Sequence, residues 1–366
     1  MNIGFLSTGL SQQIFDLHIL GYLERKDIRI NALCDKTTEK AKYRVKHLNL
    51  GDSLNFYTDY KKMIDDENLD ILEVLLPPPF HAEATIYAAK KNINAISVES
   101  PMAASIKEAD KMIEVCKNNN VFLSIYENSL FSSHIKEAKK LIENDYIGDI
   151  ASIRIKVAIG MKHDNKEKEI GKWENTEKNT IVAYPSLFDT GSNAFSLARW
   201  LINEEIVKVF AWTGEYSNVE APIFVNWKFQ RKEEHVVPKY GNMELALMPN
   251  IEIPSKYFPM DEFIEIIGSR GLMKINQCSS IGNKMKDSPV FKPLVIVRDG
   301  KVEVSNKFQK DWKYNFINAT NYFIEAFKTN KEPILSGKDG KNILKFYLAA
   351  IKSAQTKKDV YLEELN

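Results

Sequence analysis

The chain has almost nothing with which to build a cross-linked, metal-bound or membrane-embedded structure. Of 366 residues only three are cysteine, Cys34, Cys116 and Cys278. Their number is odd, their spacing wide and no C-x-x-C occurs, which argues against a disulfide framework or a zinc site and fits a reducing cytoplasm. An excess of one charge is missing too: 50 Lys and Arg stand against 49 Asp and Glu. With no global field to recruit nucleic acid or an anionic membrane, any charged partner must be bound locally. No apolar run approaches the ~20 residues that a spanning helix needs, and the opening MNIGFLSTGL lacks the basic region of a secretory leader. Neither a solenoid repeat nor a low-complexity tract is present. His134 and His235 have no carboxylate at ligand spacing, so no metal is expected.

The pattern that is present reads as two domains, since 366 residues exceed what one core comfortably organises. Residues 2–8 read as a buried strand, a helical pattern runs through Leu20 and Leu23, and a second strand begins at Ile28 and ends at Leu33. The alternation continues with a helix from Glu39 to His47, a step at Phe56-Tyr57, a helix from Asp59 and a strand over 69–76. After Pro77-Pro78-Pro79 come a helix from about His81 to Lys91, a strand ending in Val98-Glu99-Ser100-Pro101, a helix from Ser105 to Asn118 and a strand over 121–125. Such alternation predicts an α/β class with a doubly wound parallel sheet covered on both faces, assigned to residues 1–124. From about residue 150 one-sided strands take over, at 151–157, 207–212, 223–229, 263–267 and 294–297, with helices at 315–328 and 340–355. Residues 125–366 are therefore expected to form a second α/β domain whose antiparallel sheet has helices on one face.

In an open parallel sheet, ligands sit beyond the carboxyl ends of the strands. The first such end reads Gly4-Phe5-Leu6-Ser7-Thr8-Gly9-Leu10-Ser11-Gln12. A dinucleotide turn wants glycine at 7 and 9 and a small residue at 12, because the chain turns tightly while its backbone approaches a pyrophosphate. Only Gly9 meets this; Ser7 is a small substitute and Gln12 a misfit. Asp35 strengthens the reading, since a carboxylate closing the second strand accepts bonds from a ribose 2′-hydroxyl and repels a 2′-phosphate. Lys36 beside it leaves the choice between NAD and NADP open.

Several stretches together resemble the Gfo/Idh/MocA family of NAD(P)-dependent oxidoreductases. Ala32-Leu33-Cys34-Asp35 with Glu39-Lys40-Ala41 resembles its second strand and helix, and Pro77 with His81-Ala82-Glu83 its T-P-x-x-x-H-A-E turn. Glu99-Ser100-Pro101-Met102 resembles its E-K-P-M/L motif, Asn128 and Phe131 an N-R-R-F-like segment, and Asp189-Thr190-Gly191-Ser192-Asn193 its D-x-G-x-H. Leu141-Ile142 with Ile147-Gly148-Asp149-Ile150, then Gly268-Ser269-Arg270-Gly271-Leu272 and Glu332-Pro333-Ile334, extend the likeness over nearly the whole chain. The resemblance implies a Rossmann domain followed by an α/β domain with an open, mainly antiparallel sheet, a nicotinamide cofactor, and a sugar, polyol or related substrate. It also implies a homodimer or homotetramer assembled through that sheet. It places the cofactor on Ser7, Thr8, Gly9 and Leu10 of the first turn, on Asp35 and Lys36, on Leu76, Pro77 and His81 after the fourth strand, and on Glu99 and Asn128.

The chain departs from the family where the chemistry is done. Ser100 stands where the family carries a lysine beside the nicotinamide, and Asn193 where it carries a histidine. Oxidising an alcohol by hydride transfer requires the hydroxyl proton to leave as well, and a neutral hydroxyl cannot accept it unaided. Asp189, Tyr184, Ser100 and Asn193 are thus the candidate catalytic set, with Lys162 and His163 on a charged, Asn-rich segment over 162–180 as further donors. Two readings stand: an oxidoreductase with rearranged proton donors, or a dinucleotide- and ligand-binding sensor of the same fold. A cofactor-assisted lyase or hydrolase has no positive residue evidence. Elsewhere, His18 and His47 are expected at the surface or in satisfied core contacts and Trp200 in the core, while Trp212 and Trp227 are either packed residues or lie on a sheet face open to another subunit.

Overall fold

The computed structural model describes residues 1–366 apart from 8–11, 47, 49, 51–53, 161–171, 176–179, 184–190, 215–220, 232–236, 249–252, 254–259, 279–291, 306, 310 and 366. In chain order the elements are β1 (Asn2–Leu6), α1 (Gln12–Leu23), β2 (Arg29–Cys34), α2 (Thr38–Lys46), β3 (Asn55–Tyr57), α3 (Tyr60–Asp66), β4 (Ile71–Val74), α4 (Pro78–Ala89), β5 (Ala95–Glu99), α5 (Ile106–Asn118) and β6 (Phe122–Tyr126). There follow α6 (Ser133–Glu143), β7 (Ile150–Gly160), β8 (Lys172–Asn175), β9 (Thr180–Ala183), α7 (Ser192–Ile202), β10 (Ile206–Thr213), β11 (Ile223–Phe229) and β12 (Tyr240–Met248). The chain continues through β13 (Met260–Gly268), β14 (Gly271–Cys278), β15 (Leu294–Arg298), β16 (Lys301–Ser305), α8 (Lys313–Lys328), α9 (Gly337–Thr356) and β17 (Val360–Tyr361). Two compact units result: residues 1–128 with 173–182 and 315–344, and residues 129–172 with 183–314 and 345–366.

The first unit holds a six-stranded sheet in the order β3-β2-β1-β4-β5-β6, every pair parallel. This is the doubly wound order, and the winding reverses between β1 and β4. Ile3, Phe5, Leu33 and Ile71 of the sheet, Phe15 and Ile19 of α1, and Phe323 and Ile324 of α8 share one buried cluster. Thus α8 belongs to the first unit although it follows the second sheet in sequence. Local chemistry starts the helices where the sequence suggests. Asp59 caps α3 by accepting from the Lys61 and Lys62 N–H groups at 2.8 and 3.4 Å, and Ser105 caps α5 by accepting from Glu108 N–H at 3.3 Å. The outer edge at β6 is protected where the Ile125 N–H donates to Leu335 at 3.0 Å.

The second unit is built on a nine-stranded sheet, β16-β15-β14-β13-β7-β12-β11-β10-β17, in which only β7 and β12 pair parallel. One face is apolar: Ile153, Ile155, Val157, Val225, Met243, Ile264 and Ile275 are buried. The other is charged near its centre, where Arg154 and Lys274 flank Glu265 at 3.7 and 3.6 Å and Lys156 meets Glu244 at 3.4 Å. These exposed cross-strand pairs are each worth about 0.2–1 kcal/mol. β8 and β9 form a separate two-stranded sheet.

Pattern reading located β7, β10, β11, β13 and β15 but not β12, β14 or β16. β12 opens on Tyr240-Gly241-Asn242, a breaker run, and β16 is an edge strand with exposed residues on both faces. The two strand tryptophans take different places. Trp212 is exposed, whereas Trp227 is buried against Phe229 and Phe346. Parity explains this: Val209 pairs with Trp227 and Phe224 with Trp212, so the two rings lie on opposite faces. Trp200 is only half-buried, with the Lys139 ammonium over its ring, so it is not the core residue expected.

Trp227 fits because Gly241 lies opposite it on β12; a Cβ there would sit 2.1 Å from the indole. Gly241→Ala is therefore expected to lower stability by roughly 1–3 kcal/mol through overpacking. Chemical denaturation checks this, and combining it with Trp227→Phe is expected to recover part of the loss.

Candidate active site

A parallel sheet gathers the carboxyl ends of its strands at one edge, and the residues leaving that edge are Ser7, Asp35, Leu76, Glu99 with Ser100, and Asn128. Ser7 is buried; its N–H donates to Cys34 at 3.0 Å and its hydroxyl lies 3.3 Å from Asp35 Oδ2. Thr8, Gly9 and Leu10 lie outside the described residues. Asp35 is 2% exposed. Its Oδ1 accepts from the Lys36 N–H and its Oδ2 from Arg44 Nε, both at 2.6 Å. The Arg44 guanidinium also stacks over the Phe15 ring, 5.1 Å from its centroid. The carboxylate expected to face a ribose is thus already neutralised by an α2 cation. Beside it, burial first and the Asp35 charge second push the Cys34 thiol up to about 12, so this cysteine is inert.

Leu76 and Pro77 are half-buried at the turn into α4, which begins with Pro78 in a first-turn position that needs no N–H donor. His81, one turn further, is fully buried. Its ring nitrogens lie 3.0 Å from the Pro101 carbonyl and 2.5 Å from that of Leu76. Burial pushes its pKa down to about 4, so the ring is neutral and donates from one nitrogen only. His81 therefore braces the turn after β4 against the turn after β5. Glu99 closes β5 with its side chain 20% exposed, and its Oε2 accepts from the Ser100 N–H at 3.0 Å. Among the described residues, Ser100 Oγ and Asn128 Oδ1 are buried without a hydrogen-bond partner, atoms that a bound amide or hydroxyl would satisfy. The edge therefore fits a polar, hydroxyl-rich ligand such as a dinucleotide.

Of the other candidates, Asn193 stands half-buried in the first turn of α7 in the second unit. Asp189, Tyr184, Lys162, His163 and His47 lie outside the described residues. Among the described residues no group of His, Cys, Asp and Glu is arranged to hold a metal, and no helix is long and apolar enough to cross a membrane.

The description "Oxidoreductase family, NAD-binding Rossmann fold" matches residues 3–127, and "Oxidoreductase family, C-terminal alpha/beta domain" matches residues 139–362. The chain belongs to the Gfo/Idh/MocA oxidoreductase family. The Gfo/Idh/MocA chain is 24% identical over 317 residues to myo-inositol 2-dehydrogenase of Thermotoga maritima, covering 84% of both. It is 21% identical over 240 residues to scyllo-inositol 2-dehydrogenase (NADP(+)) IolW of Bacillus subtilis, 61% of this chain and 62% of the relative. Scyllo-inositol dehydrogenase from Lactobacillus casei, solved with NAD(H) and scyllo-inositol, shares the fold with a TM-score of 0.73 at 15% identity over 99% of each chain. The first unit of this family member is its NAD-binding domain.

Sequence reasoning missed a polar group beneath α1. Glu73, in the middle of β4, is fully buried and accepts from the Tyr22 hydroxyl of α1. One turn earlier, His18 Nε2 lies 2.7 Å from Glu99 Oε1. Two signals were available: a carboxylate in the apolar run Ile71-Leu72-Glu73-Val74-Leu75-Leu76, and His18 and Tyr22 at i, i+4 spacing. Arg44 carried no such signal, because its reach to Asp35 depends on how α2 packs.

Burial pushes the Glu73 pKa up to about 7; nearby Glu99 adds to this, while His18, Tyr22 and Ser97 oppose it. A carboxyl group protonated more readily when folded contributes stability that is complete below its unfolded value and is lost as pH rises through about 7. His81, with its pKa pushed down to about 4, has the opposite sign, losing stability as pH falls. Comparing Glu73→Gln with wild type isolates the first effect. The variant's relative unfolding free energy is expected to rise across pH 4.5–7 by up to about 3 kcal/mol in denaturant titrations.

Proposed function

We propose that the protein oxidises or reduces a sugar, polyol or related small hydroxy or carbonyl compound by hydride transfer with a nicotinamide dinucleotide. The observation that carries this reading is the family match over both domains, joined to a carboxyl edge whose described polar atoms suit a dinucleotide. Myo-inositol and scyllo-inositol dehydrogenases among its relatives point to a polyhydroxylated ring as the substrate class. In this reading Ser7, with Thr8, Gly9 and Leu10, approaches the diphosphate, while Asp35 and Lys36 face the adenosine ribose. Leu76, Pro77 and His81 shape the middle of the site, and Glu99 and Asn128 border the nicotinamide. When bound, the cofactor accepts or donates the hydride. Ser100 and Asn193 orient hydroxyls without titrating, and Asp189 and Tyr184 supply polar contacts to substrate. Two copies assemble through the outer face of the nine-stranded sheet, where Trp212 and Phe224 are exposed.

Titration of the purified protein with NADH is expected to saturate at micromolar to millimolar concentration, and a sugar and polyol panel to show slow, saturable NAD+ reduction. A titration that never saturates refutes the reading. Saturable binding with no absorbance change for any substrate or pH refutes turnover and leaves a ligand-binding sensor.

The Arg44–Asp35 pair bears on cofactor choice, because the guanidinium offsets the charge that would repel a 2′-phosphate. Arg44→Gln is expected to weaken NADPH relative to NADH by roughly tenfold, an effect of about 1.4 kcal/mol. Parallel fluorescence titrations with the two nucleotides measure it.

A further inference from the structure

The space between α1, α8 and the β4–β5–β6 part of the sheet holds the buried groups His18, Tyr22, Glu73 and Tyr126, with Glu99 at its edge. In register, Glu73 of β4 pairs with Ser97 of β5, and one step nearer the carboxyl edge Glu99 pairs with Tyr126 of β6. Alternation sends these four side chains to one face. His18 and Tyr22 meet them from α1, and Phe316 of α8 closes the space.

His18 is 0% exposed, with the Tyr126 ring centroid 4.5 Å away and that of Phe316 at 5.1 Å. Its Nε2 approaches Glu99 Oε1 at ion-pair distance, but off the axis a hydrogen bond requires, and its Nδ1 has no partner among the described residues. Coulomb attraction is not directional, so the contact holds the pair together without fixing which member carries a proton. Glu99 is the accessible member. One oxygen faces His18, the other takes the Ser100 N–H, and part of the side chain remains exposed at the carboxyl edge. The adjacent Ser100 hydroxyl offers no charge.

We propose that Glu99 is the proton acceptor for substrate oxidation, with His18 as the positioning residue behind it. The inference rests on the oxidoreductase reading above. The substrate O–H bond breaks and its proton passes to the Glu99 carboxylate. The carbinol hydrogen leaves with its electron pair to the nicotinamide of the oxidised dinucleotide, and the carbon becomes a carbonyl. The proton is then held at Glu99, with His18 Nε2 2.7 Å behind it.

The groups around the pair act in the same direction. Glu73 lies on the His18 side, held by Tyr22; as its charge develops it favours imidazolium. Tyr126 stays neutral, its pKa raised by burial and by Glu73 and Glu99. His81, on the far side of the β5 turn, is also neutral. Among the described residues, Glu99 is the edge group that the buried imidazole approaches.

Glu99→Gln and His18→Gln test the inference in the full chain, with NADH titration first and proton release on NAD+ binding, read by a pH indicator in weak buffer, second. Both variants are expected to bind NADH saturably, Glu99→Gln with a changed affinity because Glu99 borders the nicotinamide. Wild type is expected to release a fraction of a proton when the cationic nicotinamide docks; Glu99→Gln abolishes this and His18→Gln reduces it. With an active substrate, Glu99→Gln is expected to lower kcat by about 10²–10⁴ with little change in KM, and to remove the rising limb of the pH profile. His18→Gln is expected to lower kcat less than Glu99→Gln does, again with little change in KM. Unchanged proton release and pH profile in Glu99→Gln, with NADH binding intact, overturn the inference alone. Absence of saturable NADH binding in wild type overturns the oxidoreductase reading with it. If His18→Gln fails to fold, the partly exposed Glu99 variant decides by itself.

Discussion

A parallel sheet buried on both faces has no wet side, so a polar side chain in the middle of its strands must find a partner on a covering helix or remain neutral. The first unit is organised around that constraint. Two carboxylates of the sheet, Glu73 and Glu99, lie on the face that α1 covers, and α1 answers with Tyr22 and His18 one turn apart. The pairing ties the rotation of α1 to β4 and β5, and with it the start of the helix that follows the first turn. Buried polar pairs of this kind seldom outdo apolar packing in stability, and removing one member leaves the other uncompensated. Their consequence here is a fixed placement of Glu99 at the edge.

The same edge shows a division of labour. His81 is sealed and neutral, packed between the Pro101 and Leu76 carbonyls and donating to one of them. Arg44 reaches from α2 to Asp35 and converts a bare carboxylate into an ion pair backed by the Phe15 ring. Ser100 and Asn128 carry buried oxygen atoms without partners among the described residues. Bracing groups, a charge-balanced ribose end and unsatisfied polar atoms thus occupy successive strand ends, as expected when a preformed framework holds the positions that a ligand completes.

The alternation of strand and helix through residue 126 was legible because each helix and each strand carries its own period, and because turn residues such as Asp59, Pro78 and Ser105 mark where the period changes. In the second unit the long one-sided strands were legible for the same reason. Short or breaker-rich strands were not: β12 begins on a glycine that exists to admit Trp227, and β16 has no buried face to produce a pattern. The faces of Trp212 and Trp227 were not legible singly, since the pairing register of the two strands sets which face each ring takes. Asp35, His81 and Glu99 were recognisable as edge residues from their positions after predicted strands, but their partners were not, since those come from helices whose rotation no local pattern records.

By itself, the sequence determined the two-domain α/β class, the order of elements around the carboxyl edge, and the absence of lysine and histidine at positions 100 and 193, because all of these are properties of local pattern and residue identity. Only the tertiary structure decided that Asp35 is paired with Arg44, that Glu73 is buried against Tyr22, and that His18 stands behind Glu99. Those contacts join residues far apart in the chain, and they form only where helix packing brings side chains from different elements within a few ångströms in a place that water does not reach.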